Sequence, residues 1–116
     1  QMDKESYLNN PQKIIMVSPE LFDSDKSDFI AYASGNGMIR SGISDSDTLI
    51  FKNTSKLKDG EIGAFIMKGK ETAVKRYFKR NDTVILEFDD GIQPPMIFNE
   101  KDVEIVGKLT YIIKKI

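Results

Sequence analysis

Three observations predict that this chain folds as a mostly β protein with short helical turns. From Glu61 onward, three runs rich in apolar and β-branched residues are separated by short turn signals, the pattern of a β-meander. Close to the C-terminus, Val103, Ile105, Gly107, Leu109, Tyr111 and Ile113 alternate with Glu104, Lys108, Thr110 and Lys114, as in a long strand with one buried side. Finally, no segment carries an apolar stripe at helical spacing over three turns.

Element by element, residues 1–12 are polar, with Asn9-Asn10-Pro11 as a turn, and predict a flexible arm or linker ahead of one domain over 13–116. Lys13-Ile14-Ile15-Met16-Val17 is a short apolar run of strand type. Ser18-Pro19-Glu20-Leu21-Phe22 has an N-cap residue and then Pro at the first helical position, which predicts one helical turn. Polar residues 23–28 form a loop, and Phe29 to Ala33 reads as a strand. In the meander, Ile62 to Met67, Glu71 to Lys79 and Thr83 to Phe88 are strands, with turns at Lys68-Gly69-Lys70 and Arg80-Asn81-Asp82. Asp89-Asp90-Gly91 ends the third run. Pro94-Pro95 then breaks regular structure before Met96-Ile97-Phe98.

The absences in the composition prune the chemistry. The 116 residues include no His and no Cys, which removes His-based triads, thiol catalysis, thiolate metal sites and disulfides. No cofactor is called for. Seventeen basic and 18 acidic side chains give a net charge of −1, which argues against a surface built wholly as a nucleic-acid footprint. No apolar run approaches the ~20 residues of a membrane-spanning helix. Residues 1–17 hold no apolar core of signal-peptide length, so a cytoplasmic location is expected.

Several motifs fail on their chemistry. The Gly-rich stretch from Ser34 to Ile43 is no Walker loop, because Gly37-x-x-x-x-Gly42 is followed by Ile43 where a Lys must meet the phosphates. It is no dinucleotide fingerprint either, since the third Gly is missing and the context is not βαβ. A calcium loop counted from Asp23 would need Gly at position 28 and Glu at position 34, where Asp28 and Ser34 stand. Asp25, Asp45 and Asp47 then read as turn carboxylates. Lys75-Arg76-Tyr77-Phe78-Lys79-Arg80 has the look of a single-strand nucleic-acid platform. Strand alternation, however, would send Lys75, Tyr77 and Lys79 to one face and Arg76, Phe78 and Arg80 to the other.

Taken in order, Val17-Ser18-Pro19-Glu20-Leu21-Phe22, Asp28-Phe29, Ser34-Gly35-Asn36-Gly37-Met38 with Gly42-Ile43, Asp45, Asp47 and Leu49, Asp59-Gly60-Glu61, Thr72-Ala73-Val74-Lys75-Arg76 and Ile105-x-Gly107 resemble the C-terminal domain of LexA-type repressors. That family includes lambda-type phage repressors and is related to signal peptidases. The resemblance runs from about Val17 to Ile113 and implies a compact β fold carrying a Ser/Lys dyad that cuts the protein's own linker.

A hydroxyl becomes a nucleophile only when a base takes its proton, and a Lys serves as that base only where a dry site keeps its amine neutral. Lys75 falls at the family's base position, and Met38 follows the nucleophile position as the motif requires. The nucleophile position itself holds Gly37, which has no oxygen. The scissile Ala-Gly or Cys-Gly pair is also absent, since none of Ala31, Ala33, Ala64 and Ala73 precedes a Gly.

The resemblance therefore implies a dimerisation and regulatory domain of a LexA-like or phage-type transcriptional repressor with a degenerate, non-cleaving site. Its expected partners are a second copy of itself, with residues 109–113 as the candidate contact, and an inducer or antirepressor protein. DNA would be reached only through a separate N-terminal helix-turn-helix domain, and no membrane is involved. Two other readings stay open: a self-cleaving peptidase inactivated by replacement of its Ser with Gly37, and a small nucleic-acid-binding β-barrel.

Overall fold

All strand pairings in the computed structural model are antiparallel, and the model describes residues 28–116. The arm over 1–12, the strand over 13–17, the helical turn over 18–22, and Asp23 and Asp25 lie outside the described residues. Seven strands follow in chain order: β1 (Phe29–Tyr32), β2 (Thr48–Asn53), β3 (Ile62–Met67), β4 (Thr72–Arg80), β5 (Thr83–Glu87), β6 (Met96–Asn99) and β7 (Val103–Ile113). They form one sheet in the order β1-β2-β7-β3-β4-β5-β6. The only helical elements among the described residues are two 3-10 turns, Ile39–Ser41 and Glu100–Asp102. Asn99 caps the second by accepting from the Lys101 N–H at 3.1 Å.

The meander from β3 to β5 forms where the turn chemistry places it. Gly69 (φ 89°), Lys70 (φ 68°) and Asn81 (φ 53°) take the left-handed backbone that tight hairpin turns require, and Gly and Asn pay least for it. β2 is an element that the sequence analysis leaves unassigned. Its Leu49-Ile50-Phe51 run is buried at every position, so no period-2 signal marks it.

Two apolar clusters form on the sheet. Phe29, Leu49, Phe51, Ala64, Val74 and Val106 pack with Met38 and Ile43 from the β1–β2 loop, and the Phe29 and Phe51 rings stack at 5.1 Å. Phe65, Ala73, Tyr77, Val84 and Leu86 form the second, with Phe65 and Tyr77 stacked at 6.0 Å.

β7 departs from the simple alternation expected of it, because it carries two bulges. Pairing steps from Phe65↔Ile105 to Ala64↔Gly107, leaving Val106 extra, and from Phe51↔Leu109 to Ile50↔Tyr111, leaving Thr110 extra. Each extra residue turns the alternation over. Val103 and Ile105 accordingly pack with the second cluster, while Val106, Leu109 and Ile112 pack with the first. Tyr111 and Ile113, expected on the buried face, are instead 43% and 36% exposed. Thr110 compensates at its bulge by donating its hydroxyl to the Ile50 carbonyl at 3.0 Å.

Candidate active site

The β1–β2 loop is folded by its own short polar side chains. Gly35, at φ 80°, donates its N–H to the Asp45 carboxylate at 2.7 Å, and the Asp45 N–H returns a bond to the Asn36 side chain at 3.0 Å. Met38 drives its side chain into the first cluster, where it is 4% exposed, and its carbonyl accepts from the Ser41 and Ile43 N–H groups. Gly37 is therefore held between a polar clasp and an apolar anchor.

Opposite that loop, β4 presents Lys75, which is 4% exposed. Its amine donates to the Val74 carbonyl at 3.1 Å and lies 4.3 Å from the centre of the Phe88 ring. Burial lowers the Lys75 pKa from its ordinary value, and the nearby Asp90 charge works in the opposite direction. Lys75 and Gly37 line the same small cavity of about 30 Å³, together with Ala33, Ser34, Gly35, Met38, Ile43, Leu49 and Val74. The space suits a water-sized group.

Gly37 is not there for its backbone conformation, because its φ lies outside the left-handed region. A Cβ at this position would sit 3.1 Å from Cδ1 of Phe88, closer than side chains ordinarily approach. Phe88 thus touches both positions that the resemblance pairs. The segment carrying it is fastened to the Gly37 loop by two backbone bonds, the Asp89 N–H to the Gly37 carbonyl and the Arg40 N–H to the Asp89 carbonyl, each 2.8 Å.

Ser41, the neighbouring hydroxyl, is already engaged: it donates to the Asp89 carboxylate at 2.5 Å and accepts from the Arg76 guanidinium at 2.9 Å. A hydroxyl that accepts from a guanidinium has electron density drawn from its oxygen, so this arrangement favours structure over nucleophilicity. Arg76 also donates to the Gly60 carbonyl at 2.6 Å. Lys79 pairs with Glu100 at 2.7 Å and Arg80 with Asp59 at 2.5 Å. The basic run is thereby divided among a buried amine and separate carboxylates, which leaves no continuous cationic platform along β4.

Asp45 and Asp47 serve the fold as well. Asp47, 1% exposed, accepts from the Ser44 and Lys115 N–H groups and from the Lys114 ammonium.

Residues 2–110 match the family described as Peptidase S24-like. The chain belongs to that family. Similar proteins include the LexA repressor of Clostridium novyi (strain NT), 32% identical over 108 residues, which make up 93% of this chain and 52% of that protein. The LexA repressor of Thermosipho africanus (strain TCF52B) is 34% identical over 86 residues, 74% of this chain and 43% of that protein. That of Clostridioides difficile (strain 630) is 26% identical over 116 residues, covering 100% of this chain and 51% of that protein. The chain spans about half the length of these relatives or less.

Two participants in this S24-like site escaped the sequence reading. Phe88 follows the last residue of β5 and carries no local sign of facing a loop 51 positions earlier (88 less 37). Arg76, which the sequence places in the motif with Lys75 and on the opposite face of the strand, bridges Ser41 and the Gly60 carbonyl. Only the register of β4 and the path of the β5–β6 segment bring these groups together.

Proposed function

We propose that this chain is the C-terminal regulatory and dimerisation domain of a LexA-like transcriptional repressor whose self-cleavage site has lost its nucleophile. The observation that carries this reading is the pairing of Gly37 and Lys75 around one cavity, with a buried amine on one side and, at position 37, a residue that has no hydroxyl on the other. Removing the nucleophile of such a dyad costs about six orders of magnitude in rate. Release from DNA then requires an inducer or antirepressor protein rather than self-cleavage. DNA contact belongs to a separate helix-turn-helix domain, and pairing two regulatory domains lets the repressor grip two half-sites. The protein acts in the cytoplasm.

The dimer contact is assigned to residues 109–113 of β7. Tyr111 and Ile113 are exposed there, and no described strand pairs with these residues on the side facing β3. The decisive experiment holds the full-length protein at alkaline pH, which favours the neutral form of Lys75, and follows its intact mass. The expected result is an uncut protein, and self-cleavage would overturn the reading. Sedimentation velocity tests the assembly: a dimer converted to monomer by Tyr111→Asp is expected, and a strict monomer at high concentration refutes the dimer role. The small nucleic-acid-binding barrel predicts salt-dependent binding by this chain alone. The division of the β4 cations speaks against it.

A further inference from the structure

We propose that Phe88 is a built-in plug of the S24-like cleft, so that the site is closed by two residues, Gly37 and Phe88, rather than by the loss of one hydroxyl. The inference rests on the functional reading above and extends it to how access to Lys75 is controlled.

Three observations carry it. The ring of Phe88 lies over the Lys75 amine, 4.3 Å from nitrogen to ring centre, on a residue that is itself only 4% exposed. The same ring fills the place beside Gly37, 3.1 Å from where a Cβ would begin. Any side chain at position 37, Ser included, needs the ring to give by a few tenths of an ångström to make room for its Cβ.

The third observation is that the segment behind the ring is fixed. Asp89 exchanges backbone bonds with Gly37 and Arg40 and accepts the Ser41 hydroxyl. Asp90 accepts from the N–H groups of Ile92 and Gln93 and from the Gln93 side chain, and the Arg40 guanidinium lies against Gly91. The ring thus sits between the end of β5 and a backbone segment tied to the Gly37 loop. Phe88 belongs to neither apolar cluster. The phenyl ring also shields the amine while stabilising its charged form through its π face, which opposes the deprotonation a base requires.

Reductive methylation of the full chain with formaldehyde and a borane reductant, read peptide by peptide in a mass spectrometer, measures access to the amine. Exposed Lys52 is the internal standard. In the wild type Lys75 should react at least tenfold more slowly than Lys52, and Phe88→Ala should raise the Lys75 rate at least tenfold while Lys52 is unchanged. Equal Lys75 rates in wild type and variant overturn the plug.

Phe88→Leu guards against a variant that fails to fold, and it supports a second measurement. Gly37→Ala should lower the melting temperature in the wild type, and that loss should shrink or reverse in the Phe88→Leu background, where a methyl fits and Ala restricts the unfolded chain. An identical loss in both backgrounds refutes contact between the two positions. Self-cleavage by the wild type would instead sink the functional reading, so the two failures are told apart.

Discussion

Replacing Asp47 with Ala removes a carboxylate that is 1% exposed and ties three parts of the chain together. It accepts from the Ser44 N–H at 2.7 Å, at the end of the Gly37 loop, and from the Lys115 N–H at 3.1 Å and the Lys114 ammonium, both just past β7. Hydrogen bonds to a charged group contribute about 1.5–3 kcal/mol each. Not all of that is lost, because the Lys114 side chain is 53% exposed and regains water, as does the exposed Lys115 backbone. The Ser44 N–H, partly buried, is the donor left without a partner.

Asp47→Ala should therefore cost about 3 kcal/mol, a large share of the ~5–15 kcal/mol that holds a small domain together. Urea unfolding at neutral pH, followed by circular dichroism, measures it. A pH series supplies a second arm. Burial pushes the Asp47 pKa up, but the bonds from Lys114, Ser44 and Lys115 outweigh it and leave the value below the ordinary 3.8. A lowered carboxyl pKa contributes stability that is present above the unfolded value and lost as pH falls through the native one. The advantage of wild type over Asp47→Ala should thus hold from neutral pH down to about 4 and fade below it. A loss under about 1 kcal/mol, or an advantage that fades well above pH 4, would refute this account of the network.

Phe65→Ala should cost about 3–5 kcal/mol in the same assay, since a fully buried ring stacked on Tyr77 leaves a cavity in the second cluster. Gly107→Ala should destabilise by about 1–3 kcal/mol, because its Cβ would meet the Phe29 ring at 2.9 Å and the Lys52 carbonyl at 3.0 Å. Lys75→Met should stabilise the fold at neutral pH by about 1 kcal/mol, as a dry position stops holding an ammonium. The groups facing Lys75 are the Val74 carbonyl, the Phe88 ring and Asp90, and burial leaves its pKa below 10.5. Wild-type stability should rise relative to Lys75→Met as pH climbs from the native pKa towards 10.5, and thermal melts across that range read the narrowing gap.

Much of the sheet was legible because its turns are written in residue types: Lys68-Gly69-Lys70 and Arg80-Asn81-Asp82 bound the meander strands to within a residue or two. β2 was not, since a strand buried on both faces lacks alternation and Leu49-Ile50-Phe51 is too short to declare itself by length. β7 was assigned correctly as a strand but wrongly in its buried face beyond Ile105, because a bulge depends on the partner strand and leaves no mark in a periodicity count. At the site, Lys75 and Gly37 came from ordered motifs, and both residues line one cavity. Phe88 could not be found the same way, for its role arises from where the chain returns.

The bulge at Thr110 makes outward display of Tyr111 and Ile113 a matter of register with β2 rather than of side-chain chemistry. Deleting that one residue would keep Leu109 opposite Phe51 and Tyr111 opposite Ile50, so the regular strand that results still turns Leu109 and Ile112 inward and Tyr111 and Ile113 outward. Pairing the full-length strand without its bulge would do the reverse, turning Tyr111 and Ile113 inward and Ile112 outward. A codon deletion at 110 is thus silent for the outward face, whereas a one-residue slip that changes no codon is not.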